Sequence, residues 1–154
     1  MAVIVTRKGE GQCSPLSYSG SMIHLQANNS AQVAYFTPFQ ARKFMAAFTI
    51  YLLVIENDAT KDVTKCIMNV TIDNERYTKA ALPTDNDDPL NGEVLLDESG
   101  LYTYTIYGQT SETNLDPSDT SVVGVCEMGM LRVTAEDAWN VPDISIPDNV
   151  IYYE

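Results

Sequence analysis

The sequence predicts an all-β protein: a single antiparallel β-sandwich over residues 1–142, followed by an extended C-terminal arm over residues 143–154. Three observations carry this expectation. Short runs rich in Val, Ile, Thr and Tyr recur at intervals punctuated by turn residues. No segment sustains apolar residues at three- and four-residue spacing over several turns with caps at both ends. Prolines at 142 and 147 confine the tail to edge or extended pieces. A chain of 154 residues fits one domain and can bury roughly two thirds of its unfolded surface. Its 45% hydrophobic and 19% charged composition is that of a globular protein.

Taken in order, "AVIVT" (Ala2 to Thr6) is expected as a short strand closed by "RKGEGQ". "MIHLQ" (Met22 to Gln26) alternates weakly and ends at the turn cluster "ANNS". In "PFQARKFMAAF", Pro38 followed by Gln40, Ala41, Arg42 and Lys43 allows one or two helical turns. "AAFTIYLLVIEN" (Ala46 to Asn57) lacks Gly and Pro and is rich in β-branched and aromatic residues, as a long central strand buried on both faces at its end requires. "NDATKD" turns the chain. "VTKCIMNVTID" (Val63 to Asp73) then returns as the partner strand of a hairpin, with Cys66, Met68, Val70 and Ile72 on one face.

"KAALPTDNDDPLNGE" (Lys79 to Glu93) is expected as a long exposed loop, because prolines, a glycine and acidic residues interrupt it. Strands "EVLLD" and "GLYTYTIYG" follow, joined by the compact "DESG". In the second, alternation sets Tyr102, Tyr104 and Ile106 on a core face. Leu101, Thr103, Thr105 and Tyr107 then face solvent or a partner. Asp116-Pro117 biases the loop "TSETNLDPSD" toward extended backbone, with Leu115 as its apolar anchor. "VVGVCEMGMLRVT" reads as a last long strand in which Gly124 and Gly129 mark a bulge or bend.

The formal net charge is −12. Past residue 80 the only cation is Arg132, so the field repels nucleic acid and anionic membranes. The longest apolar stretch, Phe44 to Ile55, is too short for a membrane-spanning helix, which needs about 20 residues. The N-terminus lacks the features of a secretion signal. These features predict a soluble protein made in a cytoplasm. Cys13, Cys66 and Cys126 are odd in number, widely spaced and accompanied by a single histidine, His24. That pattern suits buried free thiols rather than a disulfide framework or a zinc site. No glycine-rich phosphate loop occurs, and His24 sits on a strand away from any evident nucleophile, so neither an enzyme nor a cofactor is expected. "DNDDPLNGE" (Asp85 to Glu93) fails as an EF-hand loop because a proline takes its third alternating position and its glycine is misplaced.

Two resemblances add to this reading. "ESGLYTY" resembles the tyrosine corner of immunoglobulin-like sandwiches, which implies an immunoglobulin-like fold in which the Tyr102 hydroxyl bonds back to the backbone a few residues upstream. Tyr104 stands where antibody domains place their second disulfide cysteine, which excludes the antibody family proper. The second resemblance lies between Gly100 and Val133. It comprises Gly100, Tyr102, Tyr104, Ile106, Tyr107 and Gln109, then Thr113 to Pro117, then Glu127, Gly129, Leu131 and Val133. This pattern resembles small β-structured virion proteins of tailed bacteriophages, including crAss-like phages and phages of Bacteroidetes hosts.

The likeness implies a non-enzymatic virion structural protein, assembled in the host cytoplasm and binding no cofactor, nucleic acid or membrane. An auxiliary or decoration protein on the capsid is the first expectation, and a ring or adaptor subunit at the neck or tail is the alternative. Its partners would be capsid, portal or tail proteins and copies of itself, in an oligomer. The candidate interface residues are Tyr107, Gln109, Asn114, Leu115 and Asp116, together with Ile151, Tyr152 and Tyr153 of the arm. The arm's "SIPDNVIYYE" suits an extended segment laid along a neighbour's sheet edge. A reading from a different class is a soluble immunoglobulin-like module that binds a basic partner, or calcium through Asp85 to Glu98.

Overall fold

The computed structural model describes residues 22–135. Over that span the chain forms β1 (Met22–Gln26), β2 (Val33–Phe36), the single helical turn α1 (Phe39–Arg42), β3 (Ile50–Asn57), β4 (Val63–Ile67), β5 (Asn69–Asp73), β6 (Thr78–Ala81), β7 (Gly100–Gln109) and β8 (Val122–Thr134). The strands build two sheets, one of five in the order β1-β8-β7-β3-β4 and one of three in the order β2-β6-β5. All neighbours are antiparallel except β1 and β8, which run parallel from Met22 opposite Met130 to Gln26 opposite Thr134. The fold is therefore all-β with two predominantly antiparallel sheets. The parallel pair departs from the wholly antiparallel expectation, because the turn after β1 leads into the other sheet and leaves β1 to join a strand remote in sequence.

The inner faces of both sheets supply one core. Tyr102, Tyr104 and Ile106 of β7 are buried as the alternation requires. They meet Leu131 and Val133 from β8, Leu53 and Ile55 from β3, and Ala34, Phe36 and Ala80 from the three-stranded sheet. The Phe36 ring stands edge-on to Tyr104, with centroids 5.4 Å apart and planes at 73°. Each buried Leu, Ile, Val or Phe side chain among them contributes about 1.5–3 kcal/mol of burial free energy, and an aromatic pair of this geometry about 0.5–1.5 kcal/mol more.

Several expectations are corrected. Val63 to Asp73 is not one strand. The hairpin of β3 with β4 forms as expected, but the chain leaves that sheet at Met68, whose N–H donates to the Tyr51 carbonyl at 2.9 Å. It re-enters the other sheet as β5, beside β6. Cys66 and Met68 stay inside, whereas Ile72 is 40% exposed. No glycine or proline marks this switch, so period-two alternation ran straight through it. The stretch Lys79 to Glu93, expected as loop, begins inside β6, and β2 was not anticipated. β6, Thr-Lys-Ala-Ala, takes its pairing from its neighbours rather than from propensity, whereas β2, Val-Ala-Tyr-Phe, is rich in β-formers but only four residues long. "EVLLD" joins no ladder, yet it lies extended: Val94 and Leu96 point into the core and donate their N–H groups to the Pro83 and Thr84 carbonyls at 3.1 and 3.0 Å. β3 starts only at Ile50, and β7 rather than β3 holds the centre of its sheet.

β8 is continuous, with register slips that leave Val123 and Cys126 without partners on β7. These bulges flank Gly124, as expected. Gly129 answers a different demand, because the Tyr104 ring lies directly over it.

A buried polar knot anchors the β1–β2 turn. The fully buried Thr84 hydroxyl accepts from the Asn29 N–H at 3.0 Å and from Gln32 Nε2 at 2.8 Å, and donates to the Gln26 carbonyl at 2.6 Å. The turn is thereby held to the segment after β6.

Candidate functional site

The β7–β8 hairpin places one carboxylate, Glu127, on the inner face near the end of β2. The Tyr104 hydroxyl donates to Glu127 Oε1 at 2.7 Å, and the Thr37 N–H donates to Oε2 at 2.6 Å. Burial raises the Glu127 pKa, while the hydrogen bonds from Tyr104 and Thr37 act the other way. Burial, followed by the Glu127 charge, pushes the Tyr104 hydroxyl well above its ordinary range. With a protein donor on each oxygen, this carboxylate clamps three strands together.

β7 then delivers the chain into the loop spanning residues 110–121. Gln109, expected at an interface, is fully buried. Its Nε2 donates to the carbonyls of Ser111 and Asn114 at 2.9 and 3.0 Å, and its Oε1 accepts from Asn114 Nδ2 at 3.0 Å. Asn114 also donates to the Asp116 carbonyl at 2.8 Å and accepts the Asp116 N–H at 2.9 Å. Gln109 and Asn114 thus hold the loop's shape. Asp116 is exposed and Leu115 half-buried, while Tyr107 is half-buried on the outer face of the five-stranded sheet opposite Val125. Ile151, Tyr152 and Tyr153 lie outside the described residues, as do the 142/143 boundary, Cys13 and the expected strand Ala2 to Thr6.

The remaining chemistry-bearing groups are tied up or dispersed. In the acidic loop, Asn86 Nδ2 donates to Glu93 Oε2 at 2.6 Å and Asn91 Nδ2 to Asp88 Oδ2 at 2.7 Å. Among the described residues, no three His, Cys, Asp or Glu side chains gather to hold a metal ion. Burial pushes the Cys66 thiol up to about 12 and the Cys126 thiol up to about 11. Both are free cysteines, and their protonated state removes thiolate reactivity at neutral pH. His24 is exposed. Beside α1, Arg42 reaches Asp73 Oδ2 at 2.8 Å, the Tyr51 hydroxyl at 3.2 Å and the Phe48 carbonyl at 3.1 Å. Its guanidinium carbon lies 5.0 Å from the Phe48 ring centroid. The open pocket there, about 460 Å³, is lined among the described residues by Phe39, Arg42, Lys43, Met45, Ala46, Ala47 and Phe48, with no carboxylate or thiol in that lining.

Comparisons with known protein families, with curated proteins and with solved structures returned no match to this chain. Its surface is therefore the remaining guide to function. On the outer face of the five-stranded sheet, Leu101, Val125, Met128 and Val63 are each more than 40% exposed. Of this face, the sequence named Tyr107 as an interface residue and set Leu101 toward solvent or a partner. The signal for the others was the same alternation, carried across strands whose pairing was unknown. Glu127 was likewise missed, although its parity with Gly129, Leu131 and Val133 points it inward.

Proposed function

We propose that the chain is a non-enzymatic structural component of a tailed-phage virion: an immunoglobulin-like β-sandwich that serves as an auxiliary protein on the capsid. A ring or adaptor subunit at the neck or tail is the other position compatible with the same surface. One observation carries the reading. Glu127, Tyr104, Gln109 and Arg42 are committed to internal bonds, while the outer sheet face keeps Leu101, Val125, Met128 and Val63 in solvent. Large apolar side chains exposed together on one sheet face mark association with other macromolecules. The immunoglobulin-like part is supported by the Tyr102 hydroxyl, which donates to the Glu98 carbonyl four residues upstream at 2.7 Å, the bond a tyrosine corner makes. The resemblance of the Gly100 to Val133 pattern to phage virion proteins supports the context of a particle.

The test is to purify particles from a lysate in which the gene is expressed, band them by density and identify their proteins by mass spectrometry. The chain is expected in the particle band in fixed ratio to the major shell protein. Recovery only at the top of the gradient refutes the proposal.

A further inference from the structure

The outer face of the five-stranded sheet is laid out in rows that cross the sheet in register. Met22, Met130, Thr103, Glu56 and Val63 form a row through all five strands. The next row runs through Met128, Thr105, Val54 and Lys65. On the other side of the first row, Arg132 pairs with Leu101, whose carbonyl accepts the Asp58 N–H at 3.0 Å. Met128 is 61% exposed, Val63 50% and Leu101 43%.

Charge identifies what this face can meet. With −12 overall, two copies repel each other through most of their surfaces. On this face and its rim the carboxylates Glu56, Asp58 and Asp62 are matched by Lys61, Lys65 and Arg132, and Lys61 lies 3.5 Å from Glu56. It is a surface on which like charge does not oppose contact between copies. The sheet order is also symmetric about β7, with two strands on either side. A two-fold axis along β7 therefore sets β8 of one copy over β3 of the other and β1 over β4. Met128 then covers Val54 of the second copy, and Arg132 comes over Asp58 of the second copy, each contact made twice as an isologous interface requires.

We propose that two copies of the chain pack face to face through this surface, with the aligned geometry of sheet-on-sheet packing, about −30° between strand directions and about 10 Å between sheets. The inference concerns the chain alone and stands or falls apart from any place in a particle.

Sedimentation equilibrium and native mass spectrometry of the purified full chain test it. A dimer is expected. Met128→Lys and Thr105→Arg, both on the outer face, are expected to weaken it at least tenfold while the thermal melt followed by circular dichroism stays within a few degrees. Arg132→Asp is expected to weaken it as well, and Asp58→Arg in that background to restore it. A monomeric wild type at its highest soluble concentration overturns the proposal and leaves the face to another protein or to the chain's own flanking residues. A dimer that neither Met128→Lys nor Thr105→Arg disturbs also overturns it, as does an Arg132→Asp loss that Asp58→Arg fails to restore.

Discussion

Gly129 sits opposite Tyr104 in the β7–β8 ladder, and a methyl group there meets the ring head on. An added Cβ lies 2.6 Å from Tyr104 Oη, 2.7 Å from Cζ and 2.8 Å from Cε1. Ordinary carbon contacts begin near 3.5 Å, so the ring has to retreat by roughly 0.8 Å. That retreat stretches the 2.7 Å bond from the hydroxyl to Glu127 and pulls the ring from the edge of Phe36. Overpacking costs about 1–3 kcal/mol, and losing a hydrogen bond to a carboxylate about 1.5–3 kcal/mol. Removing a glycine from a strand returns about 0.5–1 kcal/mol. Gly129→Ala is therefore expected to destabilise the fold by about 3 kcal/mol, and Tyr104→Phe alone by about 2 kcal/mol. The two act through the same bond, and Tyr104→Phe deletes the atom nearest the new methyl. The double variant should then cost about 3 rather than about 5 kcal/mol, a coupling of about 2 kcal/mol. Urea unfolding followed by far-ultraviolet circular dichroism, with unchanged slopes, measures all four corners of the cycle. Additivity within about 0.5 kcal/mol, or a Gly129→Ala cost below about 1 kcal/mol, refutes the clamp.

Further outcomes follow from the same contacts. Because burial raises the Glu127 pKa in the folded state, the native chain holds that proton more tightly than the unfolded chain, whose value is about 4.3. The associated stability is complete below that value and is lost as pH rises through the folded pKa. Wild type should thus lose ground to Glu127→Gln from about pH 4 upward, and parallel pH–stability curves would contradict this. Thr84→Val, which strands the groups around the buried hydroxyl, should cost about 2–4 kcal/mol in the same urea assay; a cost under about 1 kcal/mol would show the knot to be incidental. Gln109→Leu should speed amide exchange across residues 111–118 about tenfold, equivalent to about 1.4 kcal/mol, while β1 keeps its protection; an unchanged loop would show that Gln109 does not hold it. Calcium titration should give no saturable heat and no change in melting temperature, since Asp88 and Glu93 already take the side-chain amides of Asn91 and Asn86; a stoichiometric heat would revive the cation reading.

What could be read in the sequence follows a physical division. The β3–β4 hairpin, β7 and β8 were legible because they carry enough β-branched and aromatic residues for alternation to show which face is buried, and β1 because Ile23 and Leu25 alternate with His24. β6 was not, because a strand made of Ala, Thr and Lys is specified by the strands that flank it; β2 was not, because its four residues are too few for a periodic signal. The switch at Met68 was hidden because the inward parity of Cys66 and Met68 continues unbroken across it. At the candidate site, parity failed at a single point. Gln109 follows Leu101, Thr103, Thr105 and Tyr107 on the outward count, which predicts exposure, but the loop after it covers it and takes its hydrogen bonds through Ser111 and Asn114, and such coverage leaves no periodic trace in a sequence. The pattern between Gly100 and Val133 gains a physical meaning here. Tyr102, Tyr104, Ile106, Gly129, Leu131 and Val133 are buried, and Glu127 bonds inward to Tyr104. Most of that pattern is thus the interlocked inner face of one hairpin, which speaks to how the chain folds more than to what it touches.

The parallel pairing of β1 with β8 sets the mechanical character of the molecule. Met22 lies beside Met130 and Gln26 beside Thr134, so the chain preceding residue 22 and the chain following residue 134 leave the ladder at opposite ends. Tension between those points slides the two strands along each other and loads every hydrogen bond of the pair at once, whereas a hairpin pulled at its open end unzips bond by bond. A subunit tethered through both flanking segments would resist stretching at its outermost strands before the core was strained. Closing a contact between residues so distant in sequence is slow, and the same distance makes the closed ladder a shear lock.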